Sequence, residues 1–113
     1  MTKVKFFKSN DQFIGLECSG HTGYAEYNND VLCASLSGII QTGIMGFMNV
    51  LNINGTLKRH DEDGYIKYEL PKGLNQDILH DSQVIFKTIF EGVKDLSQGY
   101  SQYISMEVID GVY

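Results

Sequence analysis

The sequence predicts a mixed α/β (α+β) fold in the order ββαββαβ, a mostly antiparallel sheet with two helices, one of them a central apolar helix. Three observations predict it. Two segments alternate apolar and polar residues around polar turns, the period of paired strands. Two longer segments carry apolar residues at helical spacing or all round. A last short alternating stretch follows the second of these.

The first hairpin spans the opening eighteen residues. Val4 and Phe6 share one face, and Lys3, Lys5 and Phe7 the other. After a polar turn at Ser9–Gln12, the alternation places Ile14, Leu16 and Cys18 together, opposite Phe13, Gly15 and Glu17. Gly20–Asn29 holds two glycines and two asparagines without apolar periodicity, so it reads as a loop. Asp30 is then the candidate N-cap of a helix running from Val31 to Leu51, because its carboxylate can accept an orphaned first-turn N–H. Apolar residues cover most of that helix's circumference, which predicts burial. Ala34, Ser35, Ser37, Gly38, Gly43 and Gly46 permit close approach. Gly55–Leu70 is a second hairpin turning at Asp63–Gly64. Asn75–Gln98 is an amphipathic helix with Gly99 as its C-cap, and Tyr103–Ile109 is the final strand.

Composition bounds the function. A chain of 113 residues with 42% hydrophobic and 20% charged residues is expected to form one domain, residues 1–113, with a real core. The formal charge of −5 and scattered basic residues argue against direct nucleic-acid binding. No apolar run is expected to reach bilayer length, and the N-terminus lacks a signal-peptide core, so a cytoplasmic protein away from the membrane is expected. Two cysteines are too few for a secreted disulfide framework and read as free thiols.

The chemistry concentrates between Gly20 and Gly38. With Asp30 as N-cap, Cys33 falls in the first helical turn, where the helix dipole favours a thiolate and unpaired N–H groups can face an oxyanion. His21, at the far side of the loop and just after a strand, is placed to reach that thiol as base and then as acid. Bland readings stand beside this one. A cysteine entering an apolar helix is commonly a core residue, and a loop histidine is commonly solvated. Asp30 is an N-cap or an orienter of His21. Cys18-x2-His21 with Cys33 and His60 contains metal-ligand types, but zinc sites pair short spacings in both halves, so no metal or other cofactor is expected. Cys18 reads as core, Ser35 as packing, His60 and His80 as surface, and Tyr24 and Tyr27 as stacking residues or loop cover.

The stretch "GHTGYAEYNNDVLCASLS" resembles the ribosomal-processing cysteine protease (Prp) family, whose pattern is Gly-His-Ala after a strand, a short loop, and an Asp-(Ile/Val)-Val-Cys-Ala-small-apolar-Ser helix start. Gly20, His21, Asp30, Cys33, Ala34 and Ser37 match it, while Thr22, Asn28 and Leu32 depart from it. The resemblance implies Cys33 as nucleophile, His21 as general base and acid, and Asp30 and Ser37 as supporting residues. It implies a substrate loop that includes Gly20, Thr22, Gly23 and Tyr24, and a homodimer. The implied substrate is a large-subunit ribosomal protein with a cleavable N-terminal extension. The alternative function is a non-catalytic, dimeric, ribosome-associated binding module in which Cys33 belongs to the core.

Overall fold

The computed structural model describes residues 1–23, 25 and 30–112. The order is β1 (Thr2–Ser9), β2 (Gln12–Ser19), α1 (Val31–Met45), β3 (Thr56–His60), β4 (Tyr65–Glu69), α2 (Gln76–Gly99) and β5 (Ile104–Ile109). This is the expected ββαββαβ sequence. The sheet order is β3-β4-β2-β1-β5, with β5 parallel to β1 and every other pair antiparallel.

The first turn is a two-residue loop. Asn10 and Asp11 both adopt positive φ, 52° and 65°, the backbone that matches strand twist and that Asn and Asp tolerate. The alternation of β2 departs from expectation. A bulge lies opposite Phe7/Lys8, where Phe7 pairs with Gly15 and Lys8 with Phe13, so Ile14 is the extra residue. The bulge reverses facing on its far side. Phe13, Leu16 and Cys18 are therefore buried, while Ile14 is only partly covered. Phe13 packs edge-on to Phe6 and stacks on Phe86. Gln83 of α2 completes the repair: its Oε1 accepts from Phe13 N (2.7 Å) and its Nε2 donates to Phe13 O (2.8 Å).

Both helices lie on one face of the sheet. Leu32, Leu36, Ile40, Ile44 and Phe47 form a single buried stripe, at i,i+4 spacing and then i,i+3. Against it pack Phe86, Ile89 and Val93 of α2 and Val4, Phe6, Leu16 and Tyr68 of the sheet. The helices approach closely at Gly43, where a Cβ would lie 2.2 Å from Ile89 Cδ1. The helix is thus held along one side rather than buried all round. Its outward residues Val31 and Val50 are 67% and 74% exposed. The last turn, Gly46–Val50, widens to π-helix, and the Val31–Val50 segment is 20 residues long, with an 18-residue window of mean hydropathy 1.6. By length and composition it could cross a membrane, which corrects the expectation that no run reaches that length. At the end of α2, Gly99 stays helical and Tyr100 is the cap, its N–H reaching Leu96 O at 2.8 Å.

Candidate active site

The start of α1 is built by Asp30. Its Oδ1 accepts from Cys33 N at 2.8 Å, and its backbone carbonyl accepts from Ala34 N at 3.1 Å. Its Oδ2 accepts a hydrogen bond from the Thr22 hydroxyl. Asp30 and Thr22 are both buried. One carboxylate thereby caps the helix and ties the loop leaving β2 to it. Because the Cys33 N–H is held by this cap, it is not among the free first-turn donors expected to face an oxyanion.

On the other side, β2 ends and the chain turns at Gly20, φ +89°. A side chain there would meet Met1 O at 2.8 Å, so only glycine fits. The Gly20 carbonyl accepts from Thr2 Oγ1 at 3.1 Å, which fixes the direction in which His21 leaves the sheet. His21 Nδ1 stands 3.9 Å from Cys33 Sγ, and His21 Nε2 stands 3.1 Å from the carbonyl oxygen of Glu62. The thiol is half-buried.

These groups open on a cleft of about 390 Å3. Leu36, Ile40, Cys18 and Ile66 give it an apolar lining, and Ser37 with Gln41 adds a polar one. Ser37 Oγ accepts from Gln41 Nε2, one turn along the helix. Cys18 is buried, and burial, followed by the nearby Cys33 and Glu17, pushes its thiol from 9.0 up to about 12. It stays a neutral thiol beside the half-exposed Cys33.

Of the residues singled out on sequence, Gly20, His21, Asp30, Cys33 and Ser37 line this one cleft. Thr22 is not among the residues that line it; it is buried and bonded to Asp30. Gly23 is exposed with φ +73°, and Tyr24 lies outside the described residues. His60 and His80 are exposed, and no group of three or more metal-ligating side chains gathers among the described residues. The second hairpin is the part that sequence reasoning missed. Arg59, Asp61 and Gly64 form a wall of the cleft, with Arg59 Nε 2.6 Å from Asp61 Oδ1. Asp63–Gly64 signals a turn and nothing more. The contact with His21 spans 41 positions and leaves no local trace.

A small α+β chain with a thiol at a helix start and an imidazole facing it across a cleft has the architecture of a cysteine peptidase. The family model "Cysteine protease Prp" matches residues 1–105. The chain is 19% identical over 101 residues to the ribosomal processing cysteine protease Prp of Bacillus subtilis, covering 88% of this chain and 90% of that one. Its fold is similar to SMU.848 of Streptococcus mutans, with a TM-score of 0.84, 20% identity, and 98% and 96% of the two chains covered. It is equally similar, TM-score 0.84 at 16% identity over 96% and 99% of the chains, to the S. aureus ribosomal processing protease Prp bound to a covalently linked product peptide. The chain belongs to the cysteine protease Prp family.

Proposed function

We propose that this protein is an endopeptidase that removes a short N-terminal extension from a large-subunit ribosomal protein during ribosome assembly. It works in the cytoplasm as a homodimer and needs neither metal nor organic cofactor. The observation that carries the reading is the 3.9 Å approach of Cys33 Sγ to His21 Nδ1 at the mouth of the cleft. Support for the substrate class comes from the relatives, one described as a ribosomal processing protease and one crystallised with a substrate peptide.

The steps follow from the residues present. The Cys33 proton passes to His21, and the thiolate attacks the scissile carbonyl, forming the S–C bond of a tetrahedral intermediate. The Ser37 hydroxyl, on the cleft wall one turn beyond Cys33, is a donor within the site for the developing charge. His21 returns the proton to the departing amine as the C–N bond breaks. Water, deprotonated by the same imidazole, then releases the acyl group. The apolar lining suits an apolar side chain next to the scissile bond.

A synthetic peptide carrying such an extension, followed by mass spectrometry, tests the reading. Cleavage is expected with the wild type and is expected to fall at least 10²-fold in Cys33→Ala and in His21→Ala, in line with the usual contribution of a positioned base. An intact peptide with wild-type protein, or undiminished cleavage by Cys33→Ala, overturns it.

A further inference from the structure

We infer that the turn between β3 and β4 is the positioning element of the thiol–imidazole pair: the backbone carbonyl of Glu62 holds His21 in the one tautomer that can accept the Cys33 proton. The inference rests on the protease reading and adds the group that orients its base. A carbonyl oxygen has no proton to give, so the 3.1 Å contact between His21 Nε2 and Glu62 O requires Nε2 to carry the hydrogen. Neutral imidazole has one N–H only. Nδ1 therefore presents a lone pair, and Nδ1 is the atom 3.9 Å from Cys33 Sγ. When the thiol proton reaches Nδ1, the imidazolium keeps its Nε2–H on Glu62 and holds the new Nδ1–H for the leaving amine. No bond to the turn has to be broken during the cycle.

The turn is built for that contact. Gly64 N–H closes on Asp61 O at 3.1 Å, and Asp61 carries the Arg59 ion pair on the side chain. Gly64 has φ +61°, and a Cβ there would lie 2.7 Å from Gly20 O and 3.1 Å from His21 Cε1. The absence of a side chain at Gly64 is what lets the turn sit directly against the imidazole and the residue before it. The two oxygens of Asp30, meanwhile, serve the Cys33 N–H and the Thr22 hydroxyl. The contact at His21 Nε2 comes from a peptide group, which carries no net charge and does not titrate.

Nitrogen-15 spectra of histidine-labelled Cys33→Ala protein test this independently of turnover, with His21 assigned by a His21→Gln variant. A single Nε2–H tautomer is expected for His21, with its imidazole N–H resonance slowed in exchange, while exposed His60 averages between forms. Adding Gly64→Ala is expected to release His21 into the same averaging, whereas adding Asp30→Asn is expected to leave the tautomer in place. In the active protein, Gly64→Ala is expected to lower kcat by roughly tenfold to 10²-fold with little change in KM, part of the usual general-base contribution. A His21 that carries its proton on Nδ1, or one whose tautomer is lost with Asp30→Asn and kept with Gly64→Ala, overturns the inference. If the tautomer result holds while wild-type protein cleaves nothing, the protease reading fails and the positioning contact stands.

Discussion

Asp30 sits where three demands meet: the orphan N–H groups of α1, the Thr22 hydroxyl, and the edge of the cleft. Its side-chain bonds to the Cys33 N–H and the Thr22 hydroxyl serve the first two. Asp30→Ala is expected to lower stability by about 1–3 kcal/mol, from cap loss and a buried hydroxyl left without its acceptor. Asp30→Asn, whose side-chain oxygen can keep the cap, is expected to recover most of it in thermal unfolding. Cys18 makes a contrasting case. An unfolded thiol ionises near 9, but the folded one holds its proton to about 12, so between those values the folded state binds more protons than the unfolded. Stability should therefore be whole below pH 9 and fall as pH rises through the window. Cys18→Ala should show a shallower alkaline decline of Tm than wild type, whatever its Tm at neutral pH. Alkylation follows the same logic. At neutral pH, iodoacetamide should label half-exposed Cys33 well ahead of Cys18, and equal sluggishness of both would speak against a catalytic thiol.

At the scale of elements, the bulge in β2 decides the core. One extra residue, Ile14, turns Phe13 inward, and Gln83 of α2 bonds both its N–H and its carbonyl. Gln83→Leu keeps the volume roughly constant but removes a hydrogen-bond partner from both buried backbone groups, so a loss of about 2–4 kcal/mol in denaturant unfolding is expected. A change below about 0.5 kcal/mol would mean that water replaces the amide there. Period-two alternation could not reveal the bulge, because a one-residue insertion leaves the pattern on each side of it intact. The same limit hid the β3–β4 turn. Its Asp-Gly step is legible as chain reversal, but its seat against His21 depends on β4 pairing with β2, which brings the turn beside the end of β2.

For the whole molecule, the outward face of α1 poses the main question. Val31, Met45, Met48 and Val50 are exposed along it. A groove of about 600 Å3 between the helices, lined by Ala34, Gly38, Thr42, Val84 and Ile85, continues the apolar surface. A patch of this kind on a small domain suits an interface, and the proposed homodimer supplies a partner with the same surface. Val84→Glu, at a position 53% exposed, is expected to halve the mass measured by light scattering while circular dichroism stays unchanged. An unaltered mass would place the interface elsewhere or leave the chain monomeric. Sequence alone determined the element order, the helix that Asp30 begins, and the placing of Cys33 in its first turn. These follow from local rules: periodicity, capping and turn chemistry act over a few residues. Only the tertiary structure decided which side of α1 is covered, which residue of β2 enters the core, and what touches His21. Those outcomes depend on contacts between elements distant in the chain, where a bulge or a glycine without a Cβ sets a side chain's neighbours and leaves the hydrophobic pattern unchanged.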